Sequence, residues 1–158
     1  MQPDTPLPPF SCHGYLPEGV HETTLECVRE RFVINPRRVL LWQRLEEFLQ
    51  GQVSAKHFSH IYIDGGFITN KPAPEDIDVI LQPIAPFGAE AFSVLVPFFG
   101  KGSNEIYEKY SVHLHFWCEG FPDGANDFRQ YFQYMRPQDA APLGLREGTR
   151  KGIVRIKL

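Results

Sequence analysis

Hydrophobic and polar positions alternate with two different periods along this chain. Leu25, Val28 and Phe32 recur at helical spacing behind Thr23 or Thr24, either of which can cap the first turn, so a short amphipathic helix is predicted within residues 22–33. Asn35-Pro36 then reads as a cap followed by proline at the first helical position. Leu41, Leu45 and Phe48, flanked by Trp42 and Leu49, form one apolar face of a helix running to about Gln50. Beyond it the period drops to two. A strand is predicted at His60 to Asp64, then a Gly65-Gly66 turn, a polar loop with Lys71, Pro72 and Pro74, and a second strand from Asp76 to about Gln82.

Residues 89–99 read as a buried helix and residues 104–109 as a short one, ahead of an alternating strand at Ser111 to Trp117. A helix is predicted over Asp127 to Met135, with Phe128, Phe132 and Met135 on one side. After a loop rich in proline, glycine and charge, Ile153, Arg155 and Lys157 alternate against Val154, Ile156 and Leu158 in a final strand, Gly152 to Leu158. Residues 1–20 contain Pro3, Pro6, Pro8, Pro9 and Pro17; each fixes φ and lacks an N–H, so this stretch is expected to be an extended arm laid on one domain of residues 21–158. No internal repeat is present, which excludes solenoids.

Composition narrows the class. With 158 residues, 42% hydrophobic and 22% charged, the chain has the balance of one compact domain, able to fold without disulfide, metal or partner. A net charge of -3 and a pI near 6.1 give no global attraction to nucleic acid or anionic lipid. No apolar run approaches the roughly 18 residues of a membrane span, and Pro97 interrupts the best candidate, Phe92 to Phe99. The acid and prolines of Met1 to Phe10 do not read as a secretory signal, and Cys12, Cys27 and Cys118 lack CxxC spacing. Idle or buried thiols in a reducing cytoplasm, and no membrane partner, are therefore expected.

The informative segment is Ile61-Tyr62-Ile63-Asp64-Gly65-Gly66-Phe67, followed after a short spacer by Asp76-Ile77-Asp78-Val79-Ile80-Leu81. Strand alternation turns Ile77, Val79 and Leu81 to the core and projects Asp76 and Asp78 together from the other side, about 6.5–7 Å apart along the strand. Paired carboxylates repel and rise in pKa unless a cation neutralises them, which is why such pairs often hold Mg²⁺ with substrate phosphates. Gly65 and Gly66 suit a turn whose N–H groups approach a phosphate, and Lys71 can add positive charge there.

Strand, Gly-Gly, short spacer and Asp-x-Asp on the next strand resemble, in that order, the signature of the DNA polymerase β-like nucleotidyltransferase superfamily. More narrowly, the stretch from Leu16 to His21, the helix from Arg37 to Phe48, the DGGFITNKPAPEDIDV core, Gly124-Ala125-Asn126-Asp127 and Lys151-Gly152-Ile153-Val154 resemble a branch of small, single-domain bacterial proteins grouped with it. The resemblance implies an α+β fold, a mixed sheet with helices packed against it. It also implies two Mg²⁺ or Mn²⁺ ions, held by Asp76 and Asp78, bridging a nucleoside triphosphate (NTP) at the Gly65-Gly66 turn to a hydroxyl on RNA or protein, with Lys71 assisting. A toxin–antitoxin or phage-defence setting, with a partner protein from a neighbouring gene, is the context it suggests.

Two positions depart from that pattern. The superfamily usually brings a third carboxylate from a later strand, and here the matching position is His113, with Glu119 beyond the strand; Gly66 stands where serine is common. Imidazole suits Mg²⁺ poorly, so His113 as a metal ligand weakens a standard two-metal site. An Asp-x-Asp pair facing His113 and His115 suits Mn²⁺, Zn²⁺ or Fe²⁺ better, as in a metal-dependent hydrolase. A catalytically degenerate protein-binding or antitoxin module is the remaining alternative, with the two histidines as half-exposed strand residues. His13, His21, His57 and His60 show no metal spacing and are assigned surface or capping roles. The basic run Arg146, Arg150, Lys151, Arg155 and Lys157 reads as the charged defence of an edge strand, with contact to RNA or a nucleotide as the alternative. The aromatics from Phe116 to Tyr134 read as core, with room for one to stack on a base.

Overall fold

A computed structural model describes residues 5–122 and 127–158. It has an α+β architecture built on one five-stranded mixed sheet. In chain order the elements are β1 (Gly19–Thr23), α1 (Leu25–Phe32), α2 (Pro36–Gln52), β2 (Phe58–Asp64), β3 (Ile77–Pro83), α3 (Ala89–Leu95), α4 (Lys101–Tyr110), β4 (Val112–Phe116), α5 (Phe128–Tyr131), α6 (Pro137–Ala140) and β5 (Gly152–Lys157). Strand order is β1-β5-β2-β3-β4, with β1 parallel to β5, β2 antiparallel to both β5 and β3, and β4 parallel to β3.

Alternation gives the sheet two different faces. Ile61, Ile63, Val79, Leu81, Val154 and Ile156 lie on one face and join a single buried cluster with Val28 and Phe32 of α1 and Leu41, Leu45 and Phe48 of α2. The other face carries Tyr62, Asp64, Asp78, Ile80, His113, His115 and Arg155, as the strand registers require. Phe128 and Phe132 pack on His115 there, with ring centroids 4.4 and 4.9 Å away. One sheet face is thus pure core and the other holds the polar groups.

Helix starts follow the predicted chemistry: Thr24 accepts from the Cys27 N–H, and Asn35 accepts from the Arg38 N–H ahead of Pro36. Several boundaries differ. Residues 89–99, read as one buried helix, form α3 only to Leu95 and then a 3₁₀ turn containing Pro97. Only Ala91 and Leu95 of α3 are buried, whereas Phe92 is 60% exposed. The helix read over residues 127–135 is a single turn, α5, after which the chain bends so that Met135 donates to the Thr149 carbonyl. The stretch Gly124 to Asn126 lies outside the described residues. Within residues 1–20, Leu16 is buried and accepts from the Gly152 N–H, and Gly19 begins β1.

The final strand is also differently placed. Its basic run reads as the defence of an edge, but β5 lies between β1 and β2 in the sheet interior. Arg155 pairs with the exposed Glu22 of β1 at 2.6 Å, and Lys151, just before the strand, lines the cavity described below.

Candidate functional site

The turn after β2 shapes the site. Gly65 has φ +70°, a conformation that penalises a Cβ, and an added Cβ would lie 2.0 Å from Asp78 Oδ2. Glycine here lets the Asp78 carboxylate sit directly against the turn. Gly66 has no such constraint; a Cβ there would meet Lys71 Cδ at 3.3 Å and Pro74 Cβ at 4.0 Å. The loop that follows is fastened by α2. Arg38, 1% exposed, donates to the carbonyls of Phe32, Phe67, Thr69 and Lys71, and its guanidinium lies over the Phe67 ring. Arg37 donates to the Pro74 and Glu75 carbonyls, and Asn35 Nδ2 to that of Pro72. Four charge-assisted bonds from one buried side chain set the path of the glycine-to-aspartate spacer.

Strand register supplies the rest. Asp64 stands opposite Asp78 across β2 and β3, and Asp78 stands beside His113 across β3 and β4. His113 Nδ1 is 3.1 Å and His115 Nε2 is 3.9 Å from Asp78 Oδ1. One residue before β3, Asp76 Oδ2 accepts from the Tyr107 hydroxyl of α4 at 3.1 Å. A cavity of about 610 Å³ opens over this edge of the sheet. Gly65, Gly66, Lys71, Asp76, Asp78 and His113, all singled out in the sequence, line it together. Tyr131, Tyr134, Arg136 and Lys151 line it as well.

The carboxyls respond differently to their surroundings. Burial, reinforced by Asp78, raises the Asp76 pKa, with the Tyr107 bond opposing. Burial also pushes Asp78 upward, but the hydrogen bond to His113 and the nearby His115 imidazole outweigh it and hold this carboxylate below its ordinary range. The bond to Asp78 correspondingly raises His113, against burial. Asp64 is fully buried with neither oxygen hydrogen-bonded, and desolvation with Asp78 nearby raises its pKa well above the usual carboxylate value. Burial lowers Lys151, a shift opposed by Asp64, Asp139 and Asp78.

The family model described as "Family of unknown function (DUF6932)" matches residues 8–157. The chain belongs to this family. No curated protein and no solved structure matches it.

In this member of the family, the donor set can be weighed against the two-Mg²⁺ expectation. Asp76 and Asp78 offer hard oxygen ligands at the cavity. At the third position, however, the nearest groups are imidazoles, and the extra carboxyl, Asp64, does not line the cavity and has its pKa raised by burial. Carboxylate oxygens alone do not complete a pair of Mg²⁺ sites, while the mixed oxygen and nitrogen set fits one ion of softer preference. Sequence reading overlooked Asp64, Arg38 and Tyr107. Arg38 resembles any polar residue near a helix start, and only its zero-to-trace exposure distinguishes it. Lys151 was seen, but as surface charge.

Proposed function

We propose that this chain is a minimal nucleotidyltransferase-fold protein. It would bind an NTP with a divalent cation, Mg²⁺ or Mn²⁺, in the sheet-edge cavity and transfer a nucleoside monophosphate to a hydroxyl on RNA or protein. One observation carries the reading: the Gly-Gly turn, Lys71 and both members of the Asp-x-Asp pair line a single cavity of about 610 Å³, a size suited to a nucleotide. In transfer, the acceptor oxygen bonds to the α-phosphorus as the bond to the bridging oxygen breaks, and pyrophosphate leaves. Lys71, Lys151 and Arg136 supply positive charge for the phosphates. Asp76, with its raised pKa and its place at the cavity wall, is the group positioned to take the hydroxyl proton. A cation at Asp78 would offset phosphate charge. A role in a toxin–antitoxin or phage-defence pair, with a partner from a neighbouring gene, is the setting that agrees with the resemblance.

Labelled NTPs offered with Mg²⁺ or Mn²⁺ and RNA or protein acceptors test this. Label transfer is expected from the parent chain and should fall by at least about 100-fold in Asp76→Asn and Asp78→Asn; unchanged transfer in both variants overturns the assignment.

The ion pair between Asp78 and His113 favours a second reading, in which a degenerate site serves only to bind a partner protein. Calorimetry separates the two: no heat with any NTP and metal, together with tight binding to a neighbouring gene's product, selects the binding module.

A further inference from the structure

The three polar side chains that meet at the β3–β4 edge have the makings of a metal centre in their own right. Asp78 Oδ1, one nitrogen of His113 and one of His115 all lie within 4.8 Å of one another. The separations from Asp78 Oδ1, 3.1 and 3.9 Å, bracket the ligand-to-ligand edge of a tetrahedral ion. That edge is about 3.4 Å for bonds near 2.1 Å. Backbone geometry fixes the arrangement: residues 113 and 115 share a face because strand side chains alternate, and the parallel register sets Asp78 beside His113.

His115 supplies the second, independent observation. Its Nε2 is buried and has no hydrogen-bond partner, though a buried imidazole nitrogen ordinarily finds one. Phe128 and Phe132 hold the ring in place with centroids 4.4 and 4.9 Å away, so it cannot swing out to water. The unsatisfied nitrogen faces the Asp78 carboxylate, which Gly65 accommodates by having no Cβ. Asp78 and both histidines also line the cavity, which leaves one side of the group open.

We infer that Asp78, His113 and His115 bind one transition-metal ion, Zn²⁺, Co²⁺, Mn²⁺ or Fe²⁺, with an open position toward the cavity. Two imidazoles and one carboxylate select against Mg²⁺, which demands oxygen donors in near-ideal octahedral geometry. Three protein ligands with a vacant position are the pattern of a reactive centre, whereas structural ions are enclosed by four. The inference requires no nucleotide.

Untagged protein, stripped with chelator, is titrated with Zn²⁺, Co²⁺ and Mg²⁺ by calorimetry and elemental analysis in the absence of nucleotide. One Zn²⁺ or Co²⁺ per chain is expected, bound more than about 100-fold tighter than Mg²⁺, and Co²⁺ should show visible absorption bands. His115→Phe keeps an aromatic ring against Phe128 and Phe132 but cannot ligate; it should melt close to the parent and lose more than about 100-fold in Zn²⁺ affinity. His113→Gln should lose affinity similarly. No stoichiometric Zn²⁺ or Co²⁺, or unchanged affinity in both folded variants, overturns the site. Stoichiometric Zn²⁺ without nucleotide transfer supports this centre while removing the nucleotidyltransferase reading. Transfer with Mg²⁺ by a chain that takes up no Zn²⁺ or Co²⁺ does the reverse.

Discussion

At the scale of single residues, two adjacent glycines do different work. Gly65 occupies the left-handed region and sits against Asp78, so Gly65→Ala combines backbone strain of about 1–2 kcal/mol with displacement of that carboxylate. Urea unfolding should show at least this loss, and Co²⁺ uptake should fall with it. Gly66→Ser meets the flexible tail of Lys71 and makes ordinary contact with Pro74, and should change stability by no more than about 0.5 kcal/mol. Asp64 makes a separate prediction about pH. Its carboxyl keeps a proton in the folded chain at pH values where the unfolded chain, near its ordinary 3.8, has released it. The native state then binds more protons than the unfolded one, so this group's contribution to stability is complete below 3.8 and declines as pH rises through the folded pKa. Asp64→Asn does not titrate. Its melting temperature relative to the parent should therefore climb between acidic and mildly alkaline buffer; a pH-independent difference would contradict the buried, protonated state.

At the scale of elements, α2 is a clamp as much as a core helix. Its apolar face, Leu41, Leu45 and Phe48, was legible from helical spacing because period alone decides which positions can be buried together. The clamp was not, since Arg38 owes its role to four carbonyls scattered from residue 32 to residue 71. Arg38→Met should cost at least about 2 kcal/mol by leaving buried carbonyls unpaired. It should also speed amide hydrogen exchange along residues 67–71, a local effect absent from a merely destabilised core. The β2–turn–β3 segment was readable for the opposite reason. Its glycines, spacer and aspartates are contiguous, and alternation alone assigns their faces. By contrast β1 has few apolar residues in Gly19–Thr23 and borrows its identity from pairing with β5.

At the scale of the whole molecule, that pairing joins the two ends of the chain. Leu16, whose carbonyl accepts from the Gly152 N–H, is buried inside a proline-rich stretch that composition marks as a peripheral arm. Leu16→Ala should therefore behave as a core deletion and cost about 2–5 kcal/mol in denaturant unfolding, where an arm residue would cost almost nothing. No helix among the described residues is long and apolar enough to cross a membrane. The exposed side chains Phe92, Val96 and Phe99 lie around the second half of α3 and the 3₁₀ turn after it; Pro97 lacks an N–H and ends the helical ladder there.

Local periodicity and short spacers were enough to place the principal helix, the central strands and the group of glycines, lysine and aspartates at one sheet edge. Long-range packing sets the rest: β5 is interior, Asp64 is buried beside Asp78, Lys151 lines the cavity, and His115 presents an unpartnered nitrogen to Asp78. Each of these depends on strand order or register between segments distant in the chain. Such pairings arise from burial and hydrogen bonding summed over the whole sheet, and they leave no periodic mark on either partner.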